Sequence, residues 1–129
     1  MSHNKYIEYL ESKKWSRTRR EVFGIFGRKC FLCKSTKEIQ VHHITYKHLY
    51  NERIRELMPL CNDCHYELTE YYKIRKWGPE RGTQEFIKRY YGGYSLEVHR
   101  QLTSNRQRWE PRKKKAKRIW KEEKKQIPQ

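Results

Sequence analysis

Residues 30–65 have the sequence CFLCKSTKEIQVHHITYKHLYNERIRELMPLCNDCH, which contains all four cysteines of the chain. One C-x2-C pair, Cys30 and Cys33, opens it, and a second, Cys61 and Cys64, lies near its end. Two residues between the cysteines of a pair let both sulfur atoms reach the same ion, so two such pairs can complete a tetrahedral site. The spacing therefore predicts a structural Zn²⁺ site that ties the two ends of the stretch together.

The elements predicted around these cysteines follow the order strand, loop, strand, helix. Residues 38–44 alternate apolar and polar side chains, which is typical of a β-strand. Residues 57–60 predict a short return strand, in which a proline indicates a sheet edge. A helix is predicted from residue 62 to about residue 77, with an inward stripe of His65, Leu68 and Tyr72. Upstream, residues 5–26 have the apolar spacing of two helical pieces. Ser16 is the predicted cap of the second piece, and Gly27 lies where its C-terminus favours glycine.

The four cysteines already fill the zinc site, so three of the four histidines in this stretch, His42, His43 and His65, are candidates for chemistry. Hydrolysis of a phosphodiester requires an activated water and a cation that neutralises the phosphate charge. Imidazole titrates near neutral pH and is also a common metal ligand. We assign His43 as the general base, and His42 and His65 as ligands of a catalytic divalent ion, Mg²⁺ or Mn²⁺. On this assignment the two ligands meet where the strand approaches the helix.

The composition indicates a small basic domain. The chain has 129 residues, of which 35% are hydrophobic, so its core is small and a structural metal is a common means of stabilising it. Its net charge of +16 favours a nucleic-acid partner. No apolar segment approaches membrane-spanning length and the N-terminal sequence lacks a signal peptide, so a cytosolic location without a membrane partner is expected. Cysteines in that compartment favour metal binding over disulfides.

Positive charge is concentrated in the first helical segment and near the C-terminus. Residues 106–125 contain eleven lysines and arginines against three glutamates and carry +8, half the net charge. Contacts with DNA phosphates are the functional interpretation of these residues, and ordinary solvated side chains are the alternative. The predicted DNA contacts are Arg19, Arg20, Tyr46, Lys47, Arg53, Lys113, Lys114, Lys115, Lys117 and Arg118.

Two stretches together resemble the HNH endonuclease family, in its zinc-stapled branch from phages and prophages. They are VHHITYKHLYNERIRELMPLCNDCHYEL, residues 41–68, and YLESKKWSRTRREVFGIFGRKCFLC, residues 9–33. The resemblance covers about residues 5–75 and implies a ββα-metal (His-Me finger) core within an α+β fold. It implies that the first histidine of the doublet and the histidine after the last cysteine bind metal, and that the second of the doublet activates water. Glu56 stands where the family has a supporting asparagine.

The chain is accordingly divided into four segments. Residues 1–29 are a basic helical segment, residues 30–77 the ββα-metal core with its zinc site, residues 78–105 a helical extension and residues 106–129 a basic C-terminal tail. A short helix is predicted at Thr83–Tyr91 within the extension.

The leading functional prediction is a metal-dependent DNA endonuclease in the cytoplasm of a bacterial host cell. Its expected partners are DNA and, for a phage protein, packaging proteins; the sequence does not determine the oligomeric state. A non-catalytic zinc-ribbon module that binds nucleic acid is the alternative, but it has no use for the three histidines. An inactive assembly factor on a nuclease fold also stays open, because Glu56 replaces the supporting asparagine.

Overall fold

A two-stranded antiparallel sheet and six α-helices make up the chain in this computed structural model, which describes residues 2–92, 95–105 and 116–127. The predicted α+β class is confirmed. A turn of 3-10 helix at Ile54–Glu56 precedes the second strand. The elements in chain order are α1 (Ser2–Leu10), α2 (Lys13–Phe26), β1 (Ile39–His43), β2 (Leu57–Cys61), α3 (Asn62–Ile74), α4 (Pro79–Tyr90), α5 (Leu96–Ser104) and α6 (Ala116–Lys124).

The sheet lies at the centre and carries the histidine doublet. Val41 of β1 is opposite Pro59 of β2 in the antiparallel register. All five residues of β2 are buried, although each strand is an edge, because helices cover them. Pro59 lacks an N–H to donate, and its carbonyl oxygen accepts a hydrogen bond from the Phe31 N–H at 2.8 Å. This bond fastens the loop of the first cysteine pair to the sheet.

The second N-terminal helix begins earlier than predicted. Its N-cap is Ser12, whose side-chain oxygen accepts a hydrogen bond from the Trp15 N–H at 3.1 Å, and not Ser16. Ser16 lies inside the helix, where its amide already bonds to the Ser12 carbonyl. Gly27 ends the helix with a φ of 81°, a conformation that favours glycine, as predicted.

The helix after the sheet is rotated relative to its predicted orientation. Its buried face contains Cys64, Leu68 and Tyr71, whereas the predicted inward stripe was His65, Leu68 and Tyr72. The predicted stripe is wrong because Cys64 must face the other cysteines, and this requirement determines which side of the helix is buried. His65 follows about 100° further round the helix and is half-buried.

Helices α3 and α4 pack closely because a glycine lies at their contact. α4 begins at Pro79, earlier than the predicted Thr83, with proline in its favoured first position. A Cβ atom placed on Gly82 would overlap the side chain of Tyr72. Gly82 therefore allows the two helix backbones to approach.

The last helix is part of the packed domain. Trp120 of α6 is fully buried, and its Nε1 donates a hydrogen bond to Oε1 of Glu67 at 2.9 Å. The ring contacts Tyr71 and Tyr90, with centroid separations of 5.2 and 6.0 Å. The description of residues 106–129 as an appended tail therefore needs correction for α6, because its aromatic residue completes the core between α3 and α4.

None of the helices in the described ranges is both long and apolar enough to cross a lipid bilayer.

We expect Gly82→Ala to destabilise the fold by about 1–3 kcal/mol, the usual cost of forcing an extra methyl group into a packed contact. The matched control is Gly24→Ala, at an exposed helical position where an added Cβ meets no atom within 4 Å. Alanine should stabilise that site by up to about 1 kcal/mol through helix propensity. Chemical denaturation of metal-loaded protein measures both, and equal effects would contradict the close contact.

Candidate functional site

The predicted clustering of the four cysteines is confirmed. The Sγ atoms of Cys30, Cys33, Cys61 and Cys64 all lie within 4.8 Å of one another, and only Cys33 is exposed. In each pair the amide of the second cysteine donates to the sulfur of the first, at 3.5 and 3.4 Å. Sulfur atoms about 2.3 Å from one ion would be spaced in this way, so the cluster fits a structural metal such as zinc.

The electrostatics of the cluster also fit a cation. The neighbouring Cys33 thiol raises the pKa of Cys30 to about 11. Cys30 and Cys33 together raise the pKa of Cys64. Thiolates this close repel one another, and a positive ion between them would offset that repulsion. Metal binding and the loss of the thiol protons are therefore coupled.

A lysine of α6 lies beside this cluster. Lys117 Nζ is 3.3 Å from the Cys64 Sγ and 2.6 Å from the Asp63 Oδ2. Lys117 was predicted as a DNA contact, but the structure turns its ammonium group toward the cysteines. Such a donor is suited to stabilise thiolates bound to a metal.

A buried histidine–glutamate pair lies at the end of β1. His43 Nε2 is 2.7 Å from Glu52 Oε2, and the two side chains are only 3% and 1% exposed. The His43 ring is stacked between Trp15 and Tyr46, with centroid separations of 5.1 and 4.8 Å and ring planes within 13° of parallel. The other Glu52 oxygen accepts a hydrogen bond from the Tyr9 hydroxyl. Protein groups thus hold His43 on its edge and on both faces.

The remaining ring nitrogen of this histidine is available for chemistry. A carboxylate only accepts hydrogen bonds, so Nε2 carries the proton and the lone pair lies on Nδ1. His43 lines a cleft of about 280 Å³ together with His65 and Arg19. The arrangement can therefore accept a proton from a molecule in the cleft.

The two predicted metal-binding histidines lie next to each other. The ring centroids of His42 and His65 are 5.1 Å apart, across the angle between β1 and α3. Burial lowers the pKa of both, and most strongly that of His42, so both imidazoles are held in the neutral form that binds metals. Thr83 Oγ1 lies 2.9 Å from His42 Nε2, which leaves Nδ1 as the possible ligand atom.

This histidine pair offers two protein ligands and no more. Within the described ranges, only the four cysteines form a group of three or more metal-ligating side chains. The pair could hold a divalent ion whose other positions are filled by water or substrate oxygens.

Glu56, the predicted supporting residue, lies near the site, but its hydrogen bonds are to residues of the loop before β2. Glu56 Oε2 is 2.6 Å from His48 Nδ1, and Oε1 accepts a hydrogen bond from the Arg53 amide. Burial opposes ionisation of Glu56, but these hydrogen bonds outweigh it and lower its pKa. Glu52, which was not among the predicted site residues, is the acid that bonds to His43. The sequence does show two glutamates in the loop after the histidine doublet, and either of them could have been considered as its partner.

The predicted DNA contacts are dispersed. Arg19 and Tyr46 line the cleft beside His43. The other predicted contacts in the described ranges, apart from Lys117, are exposed side chains outside the cleft, and three predicted contacts lie outside those ranges. The exposed set is Arg20, Lys47, Arg53 and Arg118, and the set outside the described ranges is Lys113, Lys114 and Lys115.

Comparison with known proteins corrects the family assignment. A family model described as "Uncharacterized protein conserved in bacteria (DUF2197)" matches residues 27–78, less than half of the chain. The matched segment contains all four cysteines, both strands and α3. The resemblance to the HNH endonuclease family is therefore wrong, since the matching model is that of another family. The phage and prophage association rested on that resemblance and has no support.

Neither the comparison with curated proteins nor the comparison with solved structures gave a match.

We expect the purified protein to contain about one tightly bound zinc per chain, and Cys61→Ser to lose both the metal and the fold. Binding of structural zinc is itself folding free energy, on the order of 10 kcal/mol in small domains. Metal analysis and circular dichroism measure the two effects, and chelation of zinc from the unmutated protein should reproduce the variant's spectrum. A stably folded Cys61→Ser protein, or a folded protein without metal, would refute the structural role.

Proposed function

We propose that this protein is a metal-dependent nuclease that hydrolyses phosphodiester bonds in DNA. The observation that supports it best is the buried Glu52–His43 pair, because His43 also lines the cleft that contains His65. A buried carboxylate behind an imidazole is the arrangement by which enzymes hold a general base in one tautomer and stabilise it when it is protonated.

In this proposal His43 removes a proton from water. The proton moves to Nδ1, and the resulting positive charge on the imidazole is balanced by Glu52, which is almost completely excluded from solvent. Stacking between Trp15 and Tyr46 prevents the ring from tilting away from the cleft. A positioned general base contributes about 10²- to 10⁴-fold to the rate.

His42 and His65 are the proposed ligands of a divalent ion in a ββα-metal arrangement. When bound, such an ion neutralises charge on the phosphate and on the leaving oxygen. The hydrogen bond between Thr83 and His42 Nε2 fixes the orientation of that ring, as outer hydrogen bonds commonly do for metal-binding histidines. Because burial keeps both rings neutral, no proton must be displaced from them when the ion binds.

The charge of the chain supports a polyanionic substrate. Arg19 is half-buried and lines the cleft next to His43, where a guanidinium group can bind a phosphate oxygen. The net charge of +16 would attract a polymer of phosphates over a wide surface. A small monoanionic substrate would make little use of that charge.

A non-catalytic nucleic-acid-binding module is the second candidate. One observation favours it: His42 is almost completely buried and is hydrogen-bonded to Thr83, as a histidine of the core would be. This candidate does not explain why Glu52 is buried against His43 at the edge of a cleft. The two proposals differ in what they require of His43.

We expect His43→Ala to lower the single-turnover rate of plasmid cleavage by about 10²- to 10⁴-fold, because the general base is lost. Affinity for DNA should change little, since phosphate attraction depends on the cationic side chains. Cleavage of supercoiled plasmid with Mg²⁺ or Mn²⁺, compared with EDTA, measures the rate, and fluorescence anisotropy measures the affinity.

The matched control is His48→Gln. His48 lies outside the cleft lined by His43, and the glutamine side chain keeps a hydrogen-bond donor for Glu56. It should retain most of the activity. A His43→Ala protein that keeps more than about a tenth of the wild-type rate would exclude His43 as the base. If the wild-type protein binds DNA without added metal and does not cleave it, the non-catalytic module is favoured.

A further inference from the structure

One of the groups that hold His43 is itself held by a short helix. Tyr6 and Tyr9 of α1 are three residues apart and therefore lie on the same side of the helix. The Tyr9 hydroxyl donates to Glu52, the hydrogen-bond partner of His43. Tyr6 lines the cleft together with Tyr46, whose ring is stacked on His43.

We propose that α1 is a positioning element of the active site, with Tyr9 as a positioning residue that acts through Glu52. This inference rests on the proposed function, since it assigns to α1 a part in the action of the general base.

The Tyr9 contact fixes the carboxylate of Glu52. A carboxylate with a single partner can rotate about its terminal bond, whereas Glu52 has a donor on each oxygen, His43 on Oε2 and Tyr9 on Oε1. The two donors come from elements distant in sequence, so neither can move without the other. The plane of the carboxylate, and with it the direction of the His43 N–H bond, is thereby set.

Two aromatic rings complete the slot around the imidazole. Tyr46 is 48% exposed and lies in the loop after β1, so the stack on His43 leaves much of its ring in solvent. Trp15, in the first turn of the following helix, is also stacked on His43 and contacts Tyr9 at a centroid separation of 5.6 Å. Tyr9 therefore contacts two of the three groups that hold His43.

Simple packing of α1 does not require the Tyr9 hydroxyl group. Two exposed apolar side chains on the helix, Ile7 and Leu10, show that its apolar burial is limited. The Tyr9 hydroxyl is instead directed at Glu52, the hydrogen-bond partner of His43. Replacing a tyrosine by phenylalanine removes the hydroxyl group and keeps the ring, which separates positioning from packing.

The test compares Tyr9→Phe and Tyr6→Phe with Tyr66→Phe, a control at a tyrosine that is 58% exposed. Nitrogen-15 NMR of the free protein, without metal at the histidines or DNA, reports the tautomer of His43. The wild type and the control should show one ordered Nε2–H tautomer. Tyr9→Phe should show exchange-broadened or mixed His43 signals, and its single-turnover rate should fall about 10- to 100-fold because a misdirected base is costly.

For Tyr6→Phe we expect a smaller loss of rate with the tautomer retained, since the Glu52 bond remains. Wild-type His43 signals together with a wild-type rate in Tyr9→Phe would overturn the proposal, as would an equal loss in Tyr66→Phe. If the wild type does not cleave DNA, the proposed function fails, and the NMR spectra of Tyr9→Phe alone decide whether α1 orders His43.

Discussion

The four-cysteine cluster sets the relative positions of the sheet, the loop after α2 and helix α3. It joins the loop after α2 to the junction between β2 and α3, and Cys64 can reach it only if the first turn of α3 faces that loop. The phase of α3 is therefore determined by a sulfur ligand. As a consequence His65, the next residue, lies on the adjacent side of the helix, where its ring centroid is 5.1 Å from that of His42. The candidate site thus depends on the cluster without sharing an atom with it.

The C-terminal helix is attached to the same region by charge and by apolar packing. Lys117 lies against Cys64 and Asp63, while Trp120 is buried and bonded to Glu67. Lys124 Nζ also donates to Glu67 Oε1, at 2.7 Å. A buried glutamate with two such donors has its charge compensated. The basic composition of this segment therefore serves the fold at these positions, whatever the remaining lysines and arginines bind.

Sequence patterns identified the features that have short-range signatures. The spacing of Cys30, Cys33, Cys61 and Cys64 predicted their cluster, and alternation of apolar residues located β1. Periodicity gives no information on the path of an irregular loop, so it could not show which acidic residue of the loop reaches His43. The answer, Glu52, depends on how residues 44–56 close back on the sheet.

Other features depended on contacts between distant segments. Tyr9 and Glu52 are 43 residues apart, and Trp120 and Glu67 are 53 apart, so no local pattern connects them. The high charge around Trp120 favoured a basic tail that contacts DNA, whereas the buried Trp120 ring and its charged neighbours dock this helix of nine residues on the domain. The phase of α3 was misjudged for the opposite reason, since a local apolar stripe was given more weight than the cysteine that had to face the cluster.

The proposed nuclease function requires that His42 and His65 bind a divalent ion beside the Glu52–His43 pair. Anomalous diffraction from crystals of the zinc-loaded protein soaked in Mn²⁺ can locate that ion, because manganese and zinc are distinguished by their absorption edges. We expect a zinc peak among the four cysteines and a separate manganese peak that contacts His42 and His65 on the side of the His43 cleft. A zinc peak alone, with no manganese at these histidines even when a DNA oligonucleotide is bound, would exclude His42 and His65 as metal ligands.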